Sequence, residues 1–499
     1  MITKFTTVYA GHVDLPDRGQ NATPANERRY SNEHLASVFE KTEAIAKKMD
    51  ALGFDTLWLA EHHFQHEGYE CIPNDLMLAV HLAHVTKNLK IGCAFNVAPM
   101  WHPLRLAEDF ATADILTGGR TIFGVGRGYH TREVETFGAP MLNQEANREL
   151  FEEQVEIIFK AFNKESFSHR GKHYTLPPEV PYRGYTLKEL TLVPRPFHRP
   201  VETWQPIVSA NPRGLDFMVK HGIKGAVGGG AATMQAGPIT GYREAADRAG
   251  RQLALGEDLQ LGLHFHLAKT REQAIREITP IYEEHVKMFA PLGFVPGLTP
   301  DQIAAVARRG GWAAAGVPTV EHFMELGSWF AGTPGQLVDR LKGFEERYPG
   351  MQHISLSNPI GTPEAIMLEQ FQWLAEEVMP AFNLPADENR TGPGGRVSPG
   401  SARNSFLSDT LCDSAVPYSG IRPGTPMEAS GCRARTGFST ISRASPRVRW
   451  APCQGSRPRS KRGCAISSKG CSPAWISSAA TNSKPSKQWP RRPDPSRKI

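Results

Sequence analysis

The sequence predicts an α/β fold, a (β/α)8 TIM barrel with insertions, followed by a disordered basic C-terminal tail. Three observations carry that expectation. Up to about residue 384, short apolar runs alternate with longer segments of helical period, the pattern of repeated βα units around a parallel sheet. Eight such runs can be counted, which is the barrel number. Beyond that point Ser, Arg, Pro and Gly dominate without apolar period, a composition that cannot bury enough surface to offset its ordering entropy.

The expected strands, in order, are 4–9, 55–60, 90–95, 121–125, 206–209, 225–227, 259–268 and 353–357. Between the first two, "SNEHLASVFEKTEAIAKKMDALGF" reads as a helix: Ser31 is placed to cap it, Leu35, Val38, Phe39 and Ile45 lie near one face, and Gly53 stops it. "RELFEEQVEIIFKAFN" repeats the pattern with Leu150, Val155, Ile158 and Phe162. Two stretches exceed the minimal repeat. Residues 167–206 are Pro- and Tyr-rich and too irregular for a helix, so an excursion or short hairpin is expected. Residues 292–332, with Gly310, Gly311 and Gly316, form a second long insertion, either a lid or a surface elaboration.

Charge divides the chain at the same boundary. Residues 1–390 carry a net −9 and residues 391–499 a net +15. The acidic body offers no footprint for nucleic acid or an anionic membrane. It holds Cys71 and Cys93 alone, too few for a disulfide framework or a zinc site, so a reducing cytoplasm is expected. The N-terminus lacks a charged-then-apolar signal pattern, and no apolar run reaches membrane-helix length. The tail, with five scattered Cys, reads either as a nucleic-acid- or membrane-attracted arm or as a non-native extension.

Chemistry in a barrel collects at the C-terminal ends of its strands. The second strand ends in "LAEHHFQH". Alternation puts Trp58, Ala60 and His62 on one face and Leu57, Leu59, Glu61 and His63 on the other, so adjacent histidines point apart and no metal site is expected. Proton transfer by His62, or simple satisfaction of the histidines at a strand end, both remain open; His66 is expected at the surface. In "RTIFGVGRGYH" the glycines fail the dinucleotide spacing. They are read instead as permitting close backbone approach to a ligand, with Arg127 aimed at an anionic group. In "IVSANPRGLDF" a helix is expected to start at Pro212, leaving N–H groups near Asn211 and Gly214 as a second anion site. Two anion sites at strand ends imply a phosphate-bearing ligand.

Taken together, "GFDTLWLAEHHF", "HPLRLAEDFATADILTGGR", "FGVGRGYHTREVETFG", "GTPGQLVDRLKGF" and "GTPEAIMLEQFQWLAEEVMP" resemble the bacterial luciferase-like flavin monooxygenases, and among them the alkanal monooxygenase α-chain type. The resemblance runs over about residues 6–382, so residues 1–384 are expected to be one luciferase-like barrel and 385–499 a separate tail. It implies a barrel that uses reduced FMN (FMNH2), delivered by a separate flavin reductase, to activate O2 as a flavin C4a-hydroperoxide and oxygenate a small apolar organic substrate. Barrels of this family usually pair, so a homo- or heterodimer is implied. The insertion at 292–332 would be the family's mobile lid.

Residue by residue, the resemblance implies that His62 is the catalytic histidine, with Glu61 and His63 beside it in the flavin pocket. Arg127 and Arg148 would meet the flavin phosphate, with Tyr129 adjacent. Ala210, Asn211 and Gly214 would bind phosphate at the end of the fifth strand, Ala210 through its backbone because the luciferase chain has a glutamate there. Ala94 and Phe95 align with a non-prolyl cis peptide against the flavin ring. Gly126 replaces luciferase's reactive cysteine and Phe95 is bulkier than usual, so light emission is not implied. Two alternatives stand beside this reading: hydride transfer with a flavin or with the deazaflavin F420 on the same barrel, and a non-catalytic partner subunit. The non-catalytic chain resembles ENHF where this sequence keeps EHHF, which speaks against the latter.

Overall fold

The computed structural model describes residues 1–228 and 232–382, with side chains throughout except at 232–235. Eight parallel strands run in chain order: β1 Lys4–Tyr9, β2 Thr56–Leu59, β3 Lys90–Cys93, β4 Thr121–Gly126, β5 Thr203–Ile207, β6 Lys224–Val227, β7 Leu259–Leu267 and β8 His353–Ser357. Each pairs with the next, β4 pairs β5, and β8 returns to β1 with Lys4 opposite His353, so the sheet closes. A closed sheet has no edge strands to protect. The fold is the (β/α)8 barrel expected, with β1 and β8 where the apolar runs put them. β5 starts and ends earlier than 206–209, because Thr203 and Trp204 pair with Phe123 and Gly124.

Among the described residues nine longer helices cover the sheet: α1 Asn32–Leu52, α2 Asp75–Val85, α3 Pro103–Leu116, α4 Gln144–Asn163, α5 Pro212–Lys220, α6 Ala232–Arg248, α7 Arg271–Phe289, α8 Pro334–Arg347 and α9 Glu364–Trp373. Their ends follow local chemistry. Ser31 accepts from the His34 amide to start α1, and Gly53, at φ 78°, ends it. Thr333 and Gln336 form a reciprocal capping box at α8. Val38 and Ile45 of α1 are buried as the pattern requires, but Phe39 is 42% exposed, because the buried stripe runs through Lys41 and Thr42 instead.

Between helices and sheet, Phe110, Phe123 and Phe162 join α3, β4 and α4 with ring centroids 4.7–5.4 Å apart. The lumen holds a smaller cluster of Trp58, Ile122 and Trp204, with Ala94 and Phe95 against it. The Trp58 indole donates to Gln260 Oε1 at 3.0 Å, so this tryptophan is buried without an orphaned N–H.

The irregular stretch after α4 contains two small antiparallel hairpins, His169–Arg170 with Thr175–Leu176 and Pro181–Tyr182 with Tyr185–Thr186. The 292–332 insertion is more ordered than its glycines suggest. It forms three short helices, Pro300–Val306, Trp312–Ala315 and Val320–Glu325, and a strand, Trp329–Gly332, that adds to the upper end of β7. Val306, Trp312, Phe323 and Trp329 make a separate apolar cluster with α7. The tail expected from residue 385 lies outside the described residues. Among the described residues no helix is long and apolar enough to cross a membrane.

Candidate active site

Because Trp58 points into the lumen, the alternation along β2 settles the face of His62. The chain past Leu59 keeps the alternation, and His62 turns to the inner mouth while Glu61 and His63 pair with each other at 3.3 Å on the other side. His62 is 6% exposed and held at both ring nitrogens. Nδ1 lies 3.2 Å from Glu133, and Nε2 lies 3.1 Å from the Tyr129 hydroxyl and 3.3 Å from Glu70. The Tyr129 hydroxyl in turn donates to Glu70 at 2.8 Å, and Gln65 donates to Glu133 at 2.8 Å. His130 stands 2.9 Å from the other Glu70 oxygen.

Burial works against the charged imidazole, but Glu70 and the hydrogen-bonded Glu133 outweigh it, and His62 is pushed up to about 9. Glu133 is held below its ordinary value despite its burial, by the same contact. His62 is therefore an imidazolium at neutral pH. Poised this way it donates a proton; it is not a ready base. Ligand atoms of His62, Glu70, His130 and Glu133 lie within 4.8 Å of one another, a grouping that could also hold a metal ion. In the present arrangement each is engaged by hydrogen bonds to its neighbours.

Sequence reasoning passed over Glu70, His130 and Glu133. The signal was present: Glu70 lies eight residues beyond His62, and Glu133 closes the "GYHTRE" run. Only a four-residue helix, Thr131–Val134, brings Glu133 back onto His62. A further acid was also missed. Asp75, in the first turn of α2, is 1% exposed with neither carboxylate oxygen hydrogen-bonded among the described residues. Burial and then Glu61 raise its pKa well above the usual range, with His62 acting the other way. A raised carboxyl pKa means that stability falls as pH rises above the unfolded value. Asp75→Asn should therefore stabilise the chain by about 1–2 kcal/mol at pH 8 and by less at pH 5. Thermal melts at the two pH values check this, and a variant less stable than the parent at pH 8 contradicts it.

Glu61 spends its carboxylate on the Val97 amide at 2.6 Å and the Trp101 indole at 2.8 Å. It thus fixes the loop after β3, which contains the cis peptide Ala94–Phe95. The glycines of "FGVGRG" also meet a packing constraint. A Cβ on Gly124 would sit 1.7 Å from the Cys93 carbonyl oxygen, and one on Gly126 would sit 3.2 Å from Phe95 Cβ. They allow β4 to lie against this loop, and the two departures from luciferase become one exchange: small Gly126 makes room for bulky Phe95. Tyr129 takes part in the proton network. His63 stacks edge-on with Phe137 at 4.8 Å.

The residues expected to meet an anion come together from the ends of β4 and α5 and from α4. Arg127 donates to the Gln144 carbonyl at 3.5 Å and to Asn147 Oδ1 at 3.3 Å, and among the described residues it makes no ion pair. Burial, then the neighbouring Arg148, lowers its pKa. Arg148 has no ion pair or side-chain hydrogen bond among the described residues, and its Nη1 would lie 3.3 Å from a Cβ placed on Gly214. The nearby Glu145 and Glu152 are taken up by Arg213 at 2.5 and 2.7 Å. Asn211 caps α5 by accepting from the Gly214 amide at 3.1 Å. Two uncompensated guanidinium groups beside a helix N-terminus fit a phosphate group. Ala210 is exposed at the turn before the cap.

Comparison with known proteins follows this geometry. The chain is 33% identical over 150 residues to the alkanal monooxygenase alpha chain of the Kryptophanaron alfredi symbiont, covering 30% of this chain and 41% of that one. It spans 41–54% of the length of the curated relatives it matches at 31–33% identity. Among solved structures, the oxygenating constituent of 3,6-diketocamphane monooxygenase from Pseudomonas putida, in complex with FMN, aligns with a TM-score of 0.57 at 19% identity, over 77% of this chain and all of that one. An F420-dependent secondary alcohol dehydrogenase aligns with a TM-score of 0.53 at 16% identity, over 76% of this chain and 99% of that one. Both share the fold. The family model described as luciferase-like monooxygenase matches residues 16–349, and the chain belongs to that family.

Proposed function

We propose that the chain is an FMNH2-dependent monooxygenase that uses O2 to oxygenate a small organic substrate, with reduced flavin supplied by a separate reductase. The observation that carries this reading is the buried His62, facing the barrel mouth between Glu70, Tyr129 and Glu133. Arg127 and Arg148 beside α5, neither in an ion pair among the described residues, support it, as does the oxygenase character named for one relative and one fold neighbour. We further take the barrel to work as a dimer in the cytoplasm.

When bound, reduced flavin supplies the electrons that activate oxygen. The chain supplies the rest. Arg127 and Arg148 hold the phosphate, and the capped start of α5 adds its dipole. Trp58, Phe95 and Trp204 floor the lumen and keep water out, which strengthens every charge interaction above them. Glu133 fixes the Nδ1–H of His62, so that Nε2 presents a proton towards the mouth, with Tyr129 and Glu70 able to return it. Phe294, at the start of the insertion, lies 4.8 Å from Tyr129 and closes that side.

The test is the rate at which anaerobic FMNH2 reoxidises when oxygen is admitted to the full chain in excess over flavin. Slowing at least tenfold below free flavin is expected. Reoxidation at the free-flavin rate removes the oxygenase reading, and tight F420 binding in its place would favour hydride transfer.

A further inference from the structure

Five polar atoms on one side of the barrel mouth are closed off from solvent and lack a hydrogen-bond partner among the described residues: Nδ1 of His12, His264 and His285, and both Nδ2 and Oδ1 of Asn358. His12 and Asn358 are 1% and 6% exposed. The four residues stand at the adjoining ends of β1, β7 and β8 and on α7. His264 on β7 pairs opposite Ser357 at the end of β8, and Asn358 follows directly. The loop beyond Asn358 brings the Thr362 carbonyl to 3.0 Å from His12 Nε2. His285, on α7, packs its ring 4.6 Å from that of His264.

This group is continuous with the active site. His285 stacks on Phe289 at 4.5 Å, Phe289 meets Phe294 at 6.2 Å, Phe294 meets Tyr129 at 4.8 Å, and the Tyr129 hydroxyl reaches His62. Trp329, from the insertion, lies 4.8 Å from His264. His264 and His285 are only partly buried, so their rings border open space.

An unpartnered buried polar atom costs about 1–3 kcal/mol, and five on adjoining elements of the barrel mouth call for a compensating partner. The chemistry of that partner follows from the set. Burial, against a backbone hydrogen bond to Ser357, holds His264 down at about 4, and burial, then His264 and His12, hold His285 well below its ordinary value, so both are neutral. A neutral imidazole offers one donor and one acceptor, and the asparagine amide offers both kinds. Side-chain rotamer changes of the kind common on binding would turn these atoms to a ligand.

We propose that His12, His264, His285 and Asn358 form the substrate-recognition face, and that it takes an uncharged ring compound bearing hydrogen-bond donor and acceptor groups, such as a hydroxy-ketone. This rests on reading the barrel mouth as the oxygenase pocket. The ring would lie against Phe289, Phe294 and Trp329, and the polar face discriminates against plain hydrocarbons.

The test is calorimetric titration of the full chain, without flavin, with 4-hydroxyacetophenone and its hydrocarbon isostere 4-isopropyltoluene. The ketone is expected to bind at least about tenfold tighter, because a site built for hydrogen bonds rejects the analogue that lacks them. His285→Phe and Asn358→Leu should each bring the ratio below about threefold by weakening the ketone, while His285→Gln keeps most of it. Equal or tighter binding of the hydrocarbon, no binding of either probe to folded chain, or a preference unchanged in both folded variants overturns the proposal. The parent comparison stands even if a variant misfolds. As no flavin is present, intact ketone preference together with failure to slow FMNH2 reoxidation would locate the error in the oxygenase reading.

Discussion

His62→Ala leaves FMN binding within about threefold of the parent and lowers oxygenated product by about 10²–10⁴-fold, the range typical of a lost proton donor. Product is measured by mass spectrometry over a panel of ring ketones and aldehydes, with FMNH2 from an added reductase. Unchanged turnover would remove His62 from the mechanism. Its pH dependence has a fixed sign. His62 is raised to about 9, above the unfolded histidine value near 6.5, so the protonated form persists through neutral pH and is lost as pH rises through about 9. Activity should hold to about pH 8 and then fall. The stabilisation from the Glu70–His62–Glu133 contacts is complete below about 6.5 and disappears over the same rise. Glu133→Gln removes the charge at Nδ1 but keeps a hydrogen-bonding group, so the alkaline limb should move to lower pH while FMN affinity stays the same. A purely structural role for Glu133 would lower activity at all pH values without moving the limb.

Arg148→Ala is expected to weaken FMN binding by about 10–100-fold, the worth of one charge-assisted hydrogen bond to a buried phosphate. Riboflavin, which lacks the phosphate, should bind parent and variant equally. The readout is flavin fluorescence quenching with both ligands. Equal loss for FMN and riboflavin would place Arg148 in general pocket integrity. Arg213→Ala serves as the control, since its guanidinium is already paired with Glu145 and Glu152, and a loss of FMN affinity as large as that of Arg148→Ala would move the phosphate site.

The split between legible and hidden features follows the range of the interactions involved. Strand and helix order could be read because the apolar period is local: β1 and β8 fall where their runs predict, and Ser31, Asn211 and Thr333 cap helices through atoms three residues away. His62 and Arg127 lie in short motifs at strand ends, where any barrel places its chemistry, and Arg148 lies in the first turns of α4. Their partners are long-range. Glu133 is 71 residues from His62, and it reaches Nδ1 only because β2 and β4 flank β3 in a closed sheet. Glu61 shows the same limit in reverse: local alternation gave its face, but its hydrogen bonds to Val97 and Trp101 are tertiary.

Thus the sequence by itself determined an eight-stranded barrel, the separation of His62 from Glu61 and His63 onto opposite faces, and Arg127 at the end of the fourth strand. Tertiary structure alone decided that His62 carries a proton at neutral pH, since that depends on burial competing with two carboxylates brought in from elsewhere. It decided that Gly124 and Gly126 serve chain-to-chain approach, because only packing shows what a Cβ would strike. It also gathered His12, His264, His285 and Asn358, four residues spread over nearly the whole barrel sequence, at one side of a single mouth. Periodicity reports which face a side chain takes; closure of the sheet determines what it meets there.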